Sequence, residues 1–141
     1  MSYKDTSRMR NKPFYDLYMD FAKLRDNKIF PCDIDMFYEC NDGFIIIGEA
    51  KLRGHHVERM QEKVLTHLID GHKNGGILLE IQHDEKVQDG KERVDIADCT
   101  IFREYYDGKW HICEKPDTVL ERMLELIQEH KTYPKRIRST L

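Results

Sequence analysis

Hydrophobic and polar positions follow two periods along the chain, and three segments have the period of an amphipathic helix. In residues 14–25 the apolar side chains recur every three or four positions, and Asn27 is expected to end this helix. The same spacing predicts a helix over residues 56–70. A last helix is predicted to begin at Pro116, because the first turn of a helix tolerates proline.

The other regular segments alternate or are continuously apolar, which predicts strands. Asn41-Asp42-Gly43 is a hairpin turn signal, and residues 45–47 are expected to be buried on both faces of a sheet. The predicted strands are residues 29–40, 44–51, 77–83, 97–106 and 109–114. The element order α-β-β-α-β-β-β-α predicts an α/β fold, a single domain with a central mixed β-sheet flanked by helices.

Charge is distributed unevenly between the ends of the chain and its body. Residues 1–12 carry three more basic than acidic residues and residues 131–141 carry four more, so the net charge of −3 leaves −10 for residues 13–130. We expect a flexible basic arm (1–12), an acidic α/β domain (13–130) and a basic C-terminal tail (131–141). The basic ends could contact phosphates or serve only solubility.

Composition excludes several protein classes. The longest apolar run, residues 44–47, has four residues, far below the roughly 18 of a membrane span. The N-terminal residues contain no hydrophobic segment of a secretory signal, so we expect a cytoplasmic protein with no membrane partner. The four cysteines have no CxxC spacing and no paired histidines, which favours structural cysteines over a zinc or iron–sulfur site.

The predicted hairpin at Asn41-Asp42-Gly43 fixes which side chains face each other. A three-residue turn would pair Cys40 with Phe44, so that the numbers of facing residues sum to 84. A two-residue turn would shift this register by one position and send alternate side chains to the other face.

In the three-residue register, four charged side chains meet at the open end of the hairpin. Asp35 would face Glu49, and Asp33 would face Lys51. Facing residues in a hairpin point to the same side, and alternate residues share a face. The register therefore predicts a cluster of three carboxylates and one ammonium. The competing interpretation is that these are solvated charges that protect an edge strand from aggregation.

Clustered carboxylates raise one another's pKa unless a cation lies between them. Mg²⁺ prefers oxygen ligands and is commonly held by one or two carboxylates with water and substrate phosphate. The main-chain carbonyl of Ala50 could add a further oxygen. A metal-bound water loses a proton more readily, and Lys51 could orient it or stabilise charge on phosphorus. The implied reaction is hydrolysis of a phosphodiester.

At these residues the chain resembles the PD-(D/E)xK nuclease superfamily, which has the restriction-endonuclease-like fold. The family pattern is an aspartate on one strand and acid-x-Lys on the next, here Asp35 and Glu49-Ala50-Lys51. Pro31-Cys32-Asp33 is an interrupted form of the family's Pro-Asp pair. Asp33 and Asp35 thus both remain candidates for the principal ligand, and Asp35 is favoured because it faces Glu49. The predicted elements of residues 14–83 are similar in order to the core of that fold.

The resemblance implies a deoxyribonuclease that depends on Mg²⁺ or Mn²⁺ and acts on nucleic acid, with DNA the expected substrate. Asp35 and Glu49 would hold the metal with Ala50 and Asp33, and Lys51 would orient the water. Members similar to the RecB nuclease domain carry a glutamine on the following helix, which makes Gln61 a further catalytic candidate. Their usual tyrosine four residues later is replaced here by Leu65. Many members also place an acid on the first helix, for which Asp16 and Asp20 are candidates.

Other residues near the predicted site could contact the substrate. Candidate phosphate contacts are Arg53, His55, His56 and Lys63. The aromatic residues of the late hairpin, Tyr105, Tyr106 and Trp110, could stack bases or pack against one another across the strands. Since one short domain has no obvious module that reads sequence, specificity would come from a homodimer, from DNA shape or from a partner protein.

Two other functions remain open on the sequence alone. The acidic residues 13–130 could belong to an inactive nuclease-like protein that docks on a basic, nucleic-acid-binding partner. In that case Asp35, Glu49 and Lys51 would be inert. The third hypothesis is a structural α/β domain without catalytic chemistry.

Overall fold

The computed structural model describes residues 20, 22–29, 31–84 and 94–132. The chain divides into two compact units, residues 1–32 and 33–141. In the first unit the described helix is α1, Ala22–Asp26, and the Asp20 carboxylate accepts a hydrogen bond (2.9 Å) from the Ala22 N–H at its start. Most of the helix predicted over 14–25, including Asp16, lies outside the described residues, as do the arm 1–12 and nearly all of the tail 131–141.

The second unit contains a five-stranded mixed sheet with helices, which confirms the predicted α/β class. The strands lie in chain order across the sheet, β2 and β3 run parallel, and the other neighbouring pairs are antiparallel. Helix α2, Arg59–Gly71, connects the two parallel strands, and helix α3, Val119–Glu129, follows the last strand. The strands are β1 Met36–Glu39, β2 Ile45–Leu52, β3 Gly76–His83, β4 Thr100–Tyr106 and β5 Lys109–Ile112.

Two predicted strands begin earlier than the observed ones. The strand predicted over 29–40 forms only at Met36–Glu39, since Pro31 cannot donate to a ladder and β1 pairs on one side only. The strand predicted from residue 97 begins at Thr100, because Ile96–Asp98 forms a 3-10 helix. The side chain of Asp95 caps this turn by accepting from the Ala97 N–H at 3.0 Å.

The two faces of the sheet differ in polarity. The face covered by α3 has a large apolar core, and its buried Glu104 accepts hydrogen bonds from Arg122 of α3. The fully apolar members of this core include Ile46, Ile77, Leu79, Ile81, Ile101, Val119 and Leu126. On the face covered by α2, Ile47 and Leu78 are fully buried, but Glu49 and Glu80 follow them at 1% and 0% exposure. The α2 face thus changes from apolar to charged at the carboxyl ends of the two parallel strands, the edge where open α/β sheets commonly bind ligands.

None of the described helices is long and apolar enough to cross a bilayer.

Candidate active site

The turn between β1 and β2 sets the geometry of the site. The Gly43 N–H donates to the Cys40 carbonyl at 2.9 Å, and the Cys40 N–H donates to the Phe44 carbonyl at 2.8 Å. Gly43 has φ +89°, which a residue with a side chain rarely adopts. The imidazole Nε2 of His72 lies 2.7 Å from the Gly43 carbonyl oxygen and ties the turn to the end of α2. These contacts confirm the three-residue turn predicted from the sequence.

The observed pairing of β1 with β2 has the predicted register. Met36 pairs with Gly48 and Phe37 with Ile47, so the numbers of facing residues sum to 84. One step beyond the ladder, the Asp35 carboxylate oxygen Oδ2 accepts a hydrogen bond from the Ala50 N–H at 2.9 Å. Asp35 therefore lies beside the Glu49-Ala50-Lys51 segment.

Glu49 is buried beside the Asp35 carboxylate, and this environment opposes its ionisation. Burial is the main cause that raises the pKa of Glu49 to about 7, and the neighbouring Asp35 carboxylate raises it further. The Asp35 backbone and the Lys51 ammonium act in the opposite direction but do not cancel the rise. Glu49 Oε1 is buried and has no hydrogen-bond partner among the described residues. A buried carboxylate oxygen in this state would be stabilised by a proton or a cation.

Ala50 can contribute a backbone oxygen to the same place. The N–H and C=O of one strand residue point toward the same neighbouring strand. Because the Ala50 N–H donates to Asp35, the Ala50 carbonyl is also directed toward the Asp35 side of β2.

The remaining predicted catalytic residues lie at the edges of this cluster. Lys51 is partly buried and follows Glu49 on the same face of β2. Asp33 precedes β1, and the ladder that was predicted to place it opposite Lys51 does not extend to it. Gln61, near the start of α2, has its amide Nε2 3.5 Å from the Asp33 carbonyl oxygen, at the limit of a hydrogen bond. The Asp35 carboxylate contacts the Glu49-Ala50-Lys51 segment through the Ala50 N–H.

The candidate phosphate contacts have different environments. Arg53 is exposed and forms an ion pair with Asp84, with Nη2 3.3 Å from Oδ2. His55 and Lys63 are exposed. His56 is held more firmly, because its imidazole Nδ1 lies 2.9 Å from Oε2 of Glu80.

Sequence reasoning missed a buried charged network beside the predicted cluster. Glu80 pairs in register with Glu49 across β2 and β3, so the two carboxylates share a face. Glu80 Oε1 accepts from Arg103 Nε at 3.0 Å and from Arg103 Nη2 at 2.9 Å. Arg103 Nη2 also donates to Glu62 Oε1 of α2 at 3.0 Å. The one available signal was a glutamate inside the otherwise apolar run ILLEI of β3.

The aromatic residues of the late hairpin pack against neighbouring side chains. Tyr105 is buried, and its hydroxyl donates to Asp70 Oδ2 at 2.8 Å. The Arg103 guanidinium lies over the Trp110 ring, 3.7 Å from its centroid. Tyr106 stacks on His111 with ring centroids 4.0 Å apart. Each ring contacts a side chain of this sheet or of α2. This is packing, one of the two roles that the sequence allowed, the other being base stacking.

Comparisons with known proteins do not identify the chain. No family model, no curated protein and no solved structure matches it. Its function is therefore inferred from the residues and geometry of the site.

The site fits a metal that is only partly coordinated by protein. Within residues 20, 22–29, 31–84 and 94–132, no group of three or more His, Cys, Asp or Glu side chains is arranged to hold an ion. The geometry instead offers the carboxylates of Asp35 and Glu49 with the carbonyl of Ala50. Such a set suits Mg²⁺, which usually keeps several waters and binds substrate phosphate. It does not suit a closed structural zinc site.

Proposed function

We propose that this protein is a metal-dependent deoxyribonuclease that hydrolyses phosphodiester bonds, with Mg²⁺ or Mn²⁺ as cofactor. The observation that carries the proposal is the buried Glu49, whose oxygen Oε1 lacks a hydrogen-bond partner among the described residues and whose neighbour is the Asp35 carboxylate. A cation between the two carboxylates would relieve both their repulsion and the unpaired oxygen.

Each residue of the cluster has a distinct task in the proposed reaction. Asp35 and Glu49 would hold the cation with the Ala50 carbonyl, and Asp33 is the candidate for an assisting ligand. The bound cation supplies an acidified water and neutralises charge on the phosphate. The Lys51 ammonium would donate a hydrogen bond to the attacking oxygen and stabilise the negative charge that develops on the phosphoryl oxygens. Gln61, whose amide lies 3.5 Å from the Asp33 carbonyl oxygen, would orient the segment that carries Asp33.

A nucleic acid is the substrate that best suits this arrangement. The site lies on the sheet between α2 and the start of β1, and basic side chains of Arg53 and Lys63 are exposed nearby in the chain. The acidic body repels a polyanion, so we expect contact with phosphates to be limited to these residues, the metal and the basic ends. The expected products are shorter DNA strands.

Cleavage assays with matched variants test this proposal. Linear double-stranded, single-stranded and branched DNA, with RNA alongside, would be incubated with Mg²⁺, with Mn²⁺ or with EDTA. Glu49→Gln and Lys51→Met are each expected to lower the rate by about 10²–10³-fold. Glu39→Gln and Lys109→Met make the same chemical changes at exposed strand positions and should cut like the wild type.

Two outcomes would contradict the proposed function. One is cutting that continues in EDTA, and the other is a folded Glu49→Gln protein that cuts at the wild-type rate. If no substrate is cut but the protein binds a basic, nucleic-acid-binding protein tightly, the inactive binding protein becomes the better explanation. The net charge of −10 over residues 13–130 is the observation that favours that alternative.

A further inference from the structure

A histidine and a buried glutamate form a pair beside the proposed metal site. Glu80 is fully buried, and each of its carboxylate oxygens has a partner. Oε1 accepts both hydrogen bonds from Arg103, and Oε2 lies 2.9 Å from Nδ1 of His56. The His56 side chain is about half exposed, at 52%. One edge of the imidazole is therefore anchored in the sheet while the ring itself reaches solvent.

The buried carboxylate determines which ring nitrogen can exchange a proton with a ligand. Because Glu80 Oε2 is an acceptor, it holds a proton on Nδ1 of His56. Nε2 is then the nitrogen that gains or loses a proton. A base or acid oriented by a third group in this way is the usual arrangement of a catalytic histidine. The ring of Phe102, 5.2 Å away at 47°, also limits how the imidazole can turn.

Charged groups on three elements form the network that contacts His56. Glu80 on β3 contacts it directly, and Arg103 on β4 and Glu62 on α2 complete the network. His55 and Glu58 on its own connecting segment are exposed.

The register places this pair next to the proposed catalytic carboxylates. Glu80 lies beside Glu49 on the same face, and neighbouring strands are about 4.8 Å apart. His56 belongs to the segment between β2 and α2 that follows Lys51. A phosphate held by the cluster of Asp35, Glu49 and Lys51 would thus lie within reach of the imidazole.

We propose that His56 is the general acid of the hydrolysis, with Glu80 as its positioning residue; this role rests on the proposed function. The oxygen of the attacking water forms a bond to phosphorus, and the bond from phosphorus to the leaving oxygen breaks, with its electron pair staying on that oxygen. Nε2 of His56 gives its proton to the leaving oxygen. The proton of the attacking water passes to solvent, and solvent returns a proton to Nε2.

Steady-state kinetics on DNA across pH, at saturating Mg²⁺, test the role of His56. His56→Gln is expected to lower kcat by about 10²–10⁴-fold with KM changed less than about twofold, because general acid catalysis acts in the transition state. The fall of kcat on the alkaline side of the wild-type profile should disappear in this variant. His67→Gln, at an exposed histidine of α2, is the control and should match the wild type.

A second variant tests Glu80 as a positioning residue. Glu80→Gln keeps an acceptor but removes the charge that stabilises the imidazolium, so the alkaline fall of kcat should move to lower pH. A merely structural role would change the melting temperature and leave the position of that fall unchanged. His56→Gln remains informative if Glu80→Gln does not fold, because His56 is half exposed.

The outcomes separate this role from the proposed function. If the wild type cuts DNA and Glu49→Gln does not, but His56→Gln changes only KM, His56 is a phosphate contact and its role as an acid is overturned. The same conclusion follows if the alkaline fall persists in His56→Gln. If the wild type shows no metal-dependent cutting, the proposed function fails and this role fails with it.

Discussion

In the metal-free protein, the ionisation of Glu49 should make stability fall as pH rises. Burial and the Asp35 carboxylate raise the pKa of Glu49 from 4.5 to about 7. The folded state therefore holds a proton that the unfolded state has already lost between these two pH values. Stability from this group is fully present below about pH 4.5 and is lost as pH rises through about 7.

The size of the effect follows from the shift. At 1.36 kcal/mol per pKa unit, a rise from 4.5 to about 7 corresponds to about 3 kcal/mol, of which about 2.5 kcal/mol falls between pH 5 and pH 8. This is a large share of the roughly 5–15 kcal/mol that stabilises an ordinary domain. Glu49→Gln removes the ionisable group and keeps nearly the same shape, so it should remove this dependence.

Urea unfolding in EDTA at pH 5 and pH 8 measures the effect. Other groups that titrate are shared by the wild type and Glu49→Gln, so they largely cancel in the difference between the two proteins. The wild type should lose about 2.5 kcal/mol relative to the variant between the two pH values. Glu39→Gln, at an exposed position of β1, should follow the wild type. Parallel pH profiles for the wild type and Glu49→Gln would refute the reasoning.

Three further predictions follow from the same geometry. Mg²⁺ at about 100 times its Kd should stabilise the wild type at pH 8 by about 2.7 kcal/mol, which a thermal shift assay would detect. An equal shift in Glu49→Gln would mean that the metal binds elsewhere. Arg103→Met leaves Glu80 buried without its guanidinium partner and should lower the free energy of unfolding in urea by about 3–5 kcal/mol. Arg59→Met, at an exposed arginine of α2, is the control. Equal effects of the two substitutions would mean that the network does not stabilise the fold. Gly48→Ala should lower the free energy of unfolding by about 1–3 kcal/mol, measured by calorimetry, because a Cβ there would lie 2.9 Å from side-chain atoms of Met36 and Ile81. In the control, Gly71→Ala, the added Cβ meets no atom within 4 Å, and stability should not change.

Local signals in the sequence were enough to predict the β1–β2 hairpin and to limit its register to two alternatives. The turn signal ends in Gly43, whose φ of +89° suits glycine, and the observed three-residue turn is one of the two that the sequence allowed. The facing of Asp35 and Glu49 followed from that register alone. The length of β1 was overestimated, because alternation continues through residues 31–35 although the ladder does not.

The charged network of Glu80 could not be predicted from local pattern. Its position beside Glu49 depends on how β3 aligns with β2 after the whole of α2, a distance over which no periodicity fixes the register. The partner strand adds a second obstacle. The register of β4 shifts so that Glu80 pairs with Arg103 and Ile81 with Ile101, which leaves Phe102 as an extra residue. A bulge of this kind changes the face on which the following side chains lie, and no local pattern in the sequence predicts it.

Crystals soaked in Mn²⁺ test the central claim most directly, since manganese prefers the same oxygen ligands as magnesium and has an anomalous signal. We expect an anomalous peak within about 2.3 Å of a carboxylate oxygen of Asp35 and of one of Glu49, with the Ala50 carbonyl beside it. Manganese bound elsewhere on the protein, or no peak between these two carboxylates at a concentration that supports cutting, would contradict it.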